Sequence, residues 1–227
     1  MTPVPDSLTF ARDGAERHPA VLAPEDLRRL AQMLANVPAV RAGVRLHGLP
    51  GLLAFLDPAG PMGRLAASAL GDGARPVRAI LFDKSANTNW ALGWHQDRTI
   101  AVVARAEVPG FGPWSVKDGL IHVAPPAELL AGMVTLRLHL DPVNADNAPL
   151  LVAPGSHRLG RVGVRDIAGT VRRCGQVACL AEAGDVWLYA TLILHASDAA
   201  ARPRHRRVLQ VDYAVGELPG GLRWLGV

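Results

Sequence analysis

The sequence predicts a mainly β protein with flanking helices, its strands arranged as a double-sheet jelly roll. Three observations predict it. From Val77 onward the chain breaks into short β-like runs: VRAILFDK, WHQDRTIAVVA, GMVTLRLHLD, PLLVA, GQVACLA, DVWLYA and RRVLQVDYAV. Gly, Pro, Asn and Asp separate most of these runs, which is the punctuation of antiparallel sandwiches and barrels. Helical spacing of apolar residues falls before about residue 75, in segments placed to pack outside a sheet.

The first helix opens at Pro24, with Asp26 in its first turn and Leu27, Leu30, Ala31 and Leu34 at i, i+3, i+4 and i+7. Met62, Leu65, Ala66 and Ala69 repeat that spacing, and Gly71 stops the second helix. The stretch from Arg105 to Glu128 holds Pro109, Pro113, Pro125 and Pro126 around Trp114, Lys117 and His122. It reads as a long ordered loop, of the kind that forms lids and binding walls. The C-terminal GELPGGLRWLGV reads as an irregular tail anchored by Trp224.

A chain of 227 residues, 49% of them hydrophobic, is long enough for one well-buried domain. We expect a single domain over 1–227, with a helical N-terminal part over about 1–75 and a jelly-roll core over about 76–215. No run of about 18 apolar residues exists, and MTPVPDSLTFARDGAERHPA carries acids and prolines where a secretory signal needs an apolar core. A soluble, cytoplasmic protein without membrane partners is expected. Its 24 basic and 20 acidic residues are scattered along the chain, without the basic stripe that nucleic acid requires. The partner expected is a small molecule, with a mild preference for anions from the net charge of +4. Cys174 and Cys179 form no CxxC pair and read as small reduced residues. Lys84 and Lys117 are the only lysines, in a chain that otherwise uses arginine for positive charge. Each therefore invites a specific reason, because a compact ammonium and a planar guanidinium are not interchangeable at a tight site.

Alternate residues of a strand project from one face about 6.5 to 7 Å apart, so a His-x-Asp can converge on one ion. The chain contains two such pairs, His95 with Asp97 and His139 with Asp141. Asp141 precedes Pro142, which marks a turn, so His139 is read as a polar-face or core histidine and His95–Asp97 as the metal pair. His195, after the run DVWLYATLIL, is the third ligand expected from a distant strand. Two imidazoles and a carboxylate on one face of a metal leave positions open, the arrangement of non-haem Fe(II) oxygenases. Ser197 and, eleven residues beyond His195, Arg206 stand where a co-substrate anion needs partners. Arg207 is the neighbouring alternative, and strand alternation lets only one of the two point inward. Lys84 shares a face with Ile80 and Phe82 and can reach the other end of that co-substrate or an anionic substrate. Trp94, Trp114 and Lys117 are read as wall or lid residues that contact substrate.

In order, Trp94-His95-Gln96-Asp97, Pro154-Gly155-Ser156-His157, Gly184-Asp185, His195 and Arg206 resemble the motifs of the phytanoyl-CoA dioxygenase family, a branch of the Fe(II)/2-oxoglutarate-dependent oxygenases. The resemblance runs from about Leu81 to Tyr213. It implies a double-stranded β-helix of cupin-like form, with Fe(II) on His95, Asp97 and His195. It also implies 2-oxoglutarate and O2 as co-substrates, and release of succinate and CO2 as a C–H bond of a small molecule is hydroxylated. Related halogenases have a small residue at the position of Asp97, so its carboxylate favours hydroxylation. The 5-carboxylate of 2-oxoglutarate is expected on Arg206, since a charge-assisted hydrogen bond to a buried anion contributes about 1.5–3 kcal/mol. The chain departs from the pattern at Asp146-Asn147-Ala148-Pro149-Leu150, where relatives have Asn-Gly, and at Ala199, where an Asn is common. Two other readings stay open on the residues alone: a jelly-roll metalloenzyme that does not use 2-oxoglutarate, and a non-catalytic ligand-binding jelly roll.

Overall fold

In a computed structural model the described residues are 7–38 and 43–227. The first six residues of the N-terminal stretch therefore lie outside them. The N-terminal part holds α1 (Phe10–Asp13), β1 (Ala15–His18), α2 (Pro24–Leu34), β2 (Val44–Leu46), α3 (Leu53–Leu56) and α4 (Pro61–Leu70). There follow β3 (Arg75–Lys84), β4 (Leu92–His95), β5 (Ile100–Val102), β6 (Trp114–Lys117), β7 (Leu120–Val123), α5 (Ala127–Ala131) and β8 (Val134–His139). The chain ends through β9 (Leu150–Val152), α6 (Ile167–Cys174), β10 (Val177–Cys179), β11 (Val186–Ala190), β12 (His195–Ser197) and β13 (Arg206–Ala214).

The strands pair antiparallel into a six-stranded sheet of order β1-β11-β8-β13-β3-β2, a four-stranded sheet of order β10-β9-β12-β4 and a three-stranded sheet of order β5-β7-β6. The first two face each other across a shared interior and make the jelly roll. Period-2 alternation decides what each face of the large sheet does. Ala79 and Leu81 of β3, Leu136 and Leu138 of β8, and Leu209, Val211 and Tyr213 of β13 point outward. There they pack against Leu30 and Leu34 of α2, Phe55 and Leu56 of α3, and Met62 and Ala66 of α4. The complementary set points inward: Arg78, Ile80, Phe82 and Lys84 of β3, Thr135, Arg137 and His139 of β8, and Arg206, Gln210 and Asp212 of β13. This inner row is unusually polar for a core, and it fixes where a site can form.

The two expected helices form as α2 and α4, each with Pro at its start, where a missing N–H costs nothing. Gly71 closes α4 at φ 92°. The N-terminal part is not wholly helical. It contributes β1 and β2 as the two edges of the large sheet; β1 is tied down by Arg17 and the Ala20 N–H, both of which donate to Asp185. The segment 105–128 likewise differs from the expected loop, because β6 and β7 form a hairpin through Asp118 and Gly119. Both turn residues have positive φ, 53° and 78°, the backbone of a tight two-residue hairpin turn. Trp224 is half-buried against this layer, and its Nε1 donates to the Gly216 carbonyl. Both cysteines are free, and burial pushes the Cys179 thiol up. Among the described residues no helix is long and apolar enough to cross a membrane.

Candidate metal centre

β4 and β12 are neighbours in the four-stranded sheet, and their register sets His95 opposite His195 with ring centroids 4.3 Å apart. Asp97 follows two residues after His95. The ligand atoms of His95, Asp97 and His195 all lie within 4.8 Å of one another. Among the described residues they are the only three His, Cys, Asp or Glu side chains so grouped.

The donor set fits a metal for a reason visible in its hydrogen bonds. Nδ1 of His95 lies 2.8 Å from the Gly93 carbonyl, and Nδ1 of His195 lies 3.0 Å from that of Ile193. A carbonyl only accepts, so each Nδ1 carries the proton and each Nε2 keeps its lone pair for a cation. Burial pushes His195 down to about 4, against the pull of Asp97, which keeps the ring neutral near pH 7. Burial pushes Asp97 up, but Arg78, His195 and His95 outweigh it and hold the carboxyl below its ordinary value. Its Oδ2 accepts from Gln210 Nε2 at 3.2 Å and lies 3.6 Å from Arg78 Nη2. Arg78 in turn pairs with Asp212 at 2.6 Å, and burial together with Asp97 pushes Asp212 up.

Gln96, Ser156 and Asp185 of the sequence motifs act as fasteners for this arrangement. Gln96 points away from its two neighbours, donates to the Gly160 and Leu192 carbonyls and accepts from the Val162 N–H. Ser156 donates to the Ala153 carbonyl and accepts from the N–H of Leu194, the residue before His195. Asp185 anchors the N-terminal strand. None of these three roles is readable from the motifs themselves.

A cavity of about 370 Å³ opens on the triad, and its walls carry Lys84, Ser197, Arg206, Arg137 and Lys117 besides His95, Asp97 and His195. Arg206 points inward and is 2% exposed, whereas Arg207 points outward and makes a two-pronged pair with Asp141. Burial and nearby Arg137 push Arg206 down to about 9, so it remains a cation at neutral pH. Its Nη1 donates to the Ala148 carbonyl, while its Nε is buried without a partner. Lys84 donates to Ser197 Oγ at 3.0 Å and to the Asp198 carbonyl at 2.8 Å. Burial, then Arg206 and Arg137, push Lys84 down to about 7.

His139 and Asp141 do not converge, because Asp141 is committed to Arg207 on the outer face. His139 is buried, and burial with Arg137 and Arg206 pushes it down to about 3. The two tryptophans expected at the cavity lie elsewhere. Trp94 packs against Ala153, Val162 and Leu194, and Trp114 packs with Ile100, Val102 and Val123. The tryptophan in the wall is Trp90, whose ring lies 4.9 Å from Lys84 Nζ. Arg137, Gln210, Arg78, Arg45, Thr99 and Trp90 are among the wall residues that sequence reasoning did not single out. The alternation of Thr135, Arg137 and His139 on one face of β8 is the signal that could have found Arg137.

The family model for phytanoyl-CoA dioxygenase (PhyH) matches residues 10–208. No curated protein sequence matches the chain at a significant level. Among solved structures, EctD from S. alaskensis with 2-oxoglutarate and 5-hydroxyectoine is similar at a TM-score of 0.67 and 19% identity, over 95% of this chain and 78% of that one. EctD with bound Fe gives 0.66 and 20%, over 95% and 79%. SnoK, a non-haem α-ketoglutarate-dependent carbocyclase from nogalamycin biosynthesis, gives 0.67 and 16%, over 100% of this chain and 90% of its own. At these identities the likeness establishes the fold.

Proposed function

Because the chain belongs to the phytanoyl-CoA dioxygenase family, we propose that it is an Fe(II)- and 2-oxoglutarate-dependent dioxygenase that hydroxylates a C–H bond of a small molecule. We take it to act as a single cytoplasmic domain over 1–227. His95, Asp97 and His195 would hold the ferrous ion, with each imidazole Nε2 free to ligate because its Nδ1 is engaged by a backbone carbonyl. Arg206 receives the 5-carboxylate of 2-oxoglutarate, with Ser197 and Lys84 beside it. When bound, iron and 2-oxoglutarate supply O2 activation, with succinate and CO2 as products and the oxidising power that breaks the C–H bond.

The chain's own residues bind, orient and exclude water. Gln210 and Arg78 hold Oδ2 of Asp97 and so fix the carboxylate beside the imidazoles. The Gly93 and Ile193 carbonyls fix both rings in the tautomer a metal needs. Ile80 and Phe82 supply apolar wall between the charged ends of the cavity. The reading rests on one pairing above all: a convergent His-Asp-His group in the same cavity as a buried arginine with no carboxylate partner among the described residues. A buried cation of that kind is costly without an anion, and a keto diacid chelating at the triad supplies one.

Anaerobic addition of Fe(II) and 2-oxoglutarate should produce the visible charge-transfer band of their chelate, and air should then release succinate. Stimulation of succinate release by a substrate panel, with oxygen from O2 appearing in the product alcohol, tests hydroxylation itself. A flat anaerobic spectrum would end the proposal.

A further inference from the structure

We propose that the cavity has a second oxyanion subsite at Lys117, and that the substrate carries a carboxylate or a phosphate monoester there. The inference rests on the dioxygenase reading above and adds the class of substrate. Its starting point is a pattern in the basic residues. Of 24 Lys and Arg only Lys84 and Lys117 are lysine, and both line this one cavity. An ammonium presents rotatable donors on a flexible stem, which suits an oxyanion approached from varying directions.

The two lysines stand at different ends. Along β3 the inward residues run from Arg78 through Ile80 and Phe82 to Lys84, a span of about 20 Å at roughly 3.3 Å per residue. Lys84 sits with Ser197 and lies opposite Arg206 in the sheet. Lys117 sits at the Arg78 end. Its Nζ donates to Thr99 Oγ1 at 3.3 Å, and Arg78 Nη1 donates to the Thr99 carbonyl at 3.2 Å. Asp97 is held at this end by Arg78, so Lys117 lies at the Asp97 end of the cavity and Arg206, opposite Lys84, at the other. One carboxylate of 2-oxoglutarate cannot serve both ends.

Charge leads to the same place. Arg45 is paired with Asp118, and Arg78 with Asp212 and Asp97. Among the described residues Lys84, Arg137, Arg206 and Lys117 have no carboxylate partner, although all four line the cavity. Ferrous iron and the 2-oxoglutarate dianion cancel one another, so loading the centre leaves this cationic excess in place. Lys117 is half-buried near the Arg45 and Arg78 guanidiniums and the Asp97 carboxylate, which Arg78 and Gln210 already engage, and Arg45 Nε is itself buried without a partner. An anion is the ligand that removes this repulsion. The cavity, about 370 Å³, lies near the lower end of small-molecule sites at roughly 300–1,000 Å³, and 2-oxoglutarate takes part of it. The substrate is therefore small, with its anion on Lys117 and its apolar body against Ile80 and Phe82, which carries a C–H bond toward the triad.

The test is calorimetric titration of the anaerobic Fe(II)–2-oxoglutarate protein with matched sets of short-chain carboxylates, phosphate monoesters and, as the uncharged reference for both, primary carboxamides of the same chain lengths. One of the two acid sets should bind at least about tenfold more tightly than the amides, the difference expected of one charge-assisted hydrogen bond. Which set does so identifies the oxyanion. Lys117→Gln should remove that difference and leave amide binding and the chelate band as they were, while Lys117→Arg restores part of it. Equal binding of acids and amides, no binding by either acid set, or acid selectivity that survives in Lys117→Gln, each with the chelate band present, overturns the subsite alone. Absence of the band from the unsubstituted protein overturns the dioxygenase reading and the subsite with it.

Discussion

Arg206 faces Lys84 directly across the antiparallel pairing of β13 with β3, and both side chains are buried. Two cations in one register position repel, and burial, then Arg206 and Arg137, push Lys84 down to about 7. A carboxylate bound between them raises Lys84 again. The sign follows. Below about 7 the free protein already carries the proton, so 2-oxoglutarate affinity is flat. Above it the free lysine is neutral and binding must take up a proton, so affinity falls as pH rises, by up to about tenfold per unit. Titrations in buffers of different ionisation enthalpy measure this uptake directly. Lys84→Arg, charged throughout, should flatten the profile, and an unsubstituted protein whose affinity ignores pH above 7 would show that Lys84 does not meet the ligand.

The triad predicts a selective pattern among histidines. His95→Ala, His195→Ala and Asp97→Ala should each weaken Fe(II) binding by more than the roughly 10–100-fold that loss of a supporting hydrogen bond costs. His139→Ala should retain the metal, because its partner in the motif, Asp141, is held by Arg207 on the outer face. Anaerobic metal titration reads all four. The reverse pattern would move the centre to the other His-x-Asp.

Why some of this was legible and some was not comes down to periodicity. Alternation along β3, β8 and β13 is long enough to announce itself; it lets only one of Arg206 and Arg207 point inward, and the offset from His195, not parity, favours Arg206, because Arg207 shares its parity with apolar Leu209, Val211 and Tyr213. The same parity argument places Trp94 on the face opposite His95 in β4, and Trp114, three residues from Lys117, on the opposite face of β6. Aromatic identity suggested substrate contact at both positions, but the strand geometry sends both rings into the core. β1 and β2 have four and three residues, too short to show a period, and they exist because the large sheet offers them edges. The β6–β7 hairpin was hidden among prolines, although Asp118-Gly119 between alternating residues is the dipeptide such turns require. Trp90 is one residue after Asn89, whose side chain exchanges hydrogen bonds with the Ala200 backbone. That tertiary tie, absent from any local pattern, brings Trp90 to the cavity wall.

Gln210 is the support of Asp97 that a conservative substitution isolates. Its Nε2 donates to Asp97 Oδ2, while its Oε1 accepts from Arg137 at 2.7 Å and from the Tyr189 hydroxyl at 3.3 Å. Gln210→Leu keeps the volume and removes the hydrogen bonds. Metal affinity should drop about 10–100-fold, as for other residues that orient a ligand through hydrogen bonds. Because Arg78 still restrains Asp97, the loss should fall short of that in Asp97→Ala. A variant that binds Fe(II) like the unsubstituted protein would mean Arg78 alone positions the carboxylate.

Gly119 separates backbone strain from crowding in the hairpin that carries Lys117. Its φ is 78°, and a Cβ built there meets nothing within 4 Å, so any cost of substitution comes from the left-handed backbone alone. Gly119→Ala should therefore destabilise by about 1–2 kcal/mol, and Gly119→Asn by less, since Asn tolerates that conformation through local hydrogen bonds. Gly63→Ala supplies the contrast. Its φ is ordinary, but the added carbon would lie 1.8 Å from the Asp57 carbonyl oxygen, so its cost of about 1–3 kcal/mol is steric, and Asn at that position should be worse than Ala. Denaturant titration of the four variants gives opposite Ala-to-Asn orders at the two sites. The functional consequence should also split. Gly119 variants loosen the wall that holds Lys117 and weaken substrate binding while leaving the Fe(II)–2-oxoglutarate band intact, because His95, His195 and Arg206 lie on strands of the jelly roll that the hairpin does not join, and Gln210 and Arg78, on jelly-roll strands, hold Asp97. The same order of Ala and Asn at both glycines would show that crowding, not backbone conformation, governs the turn.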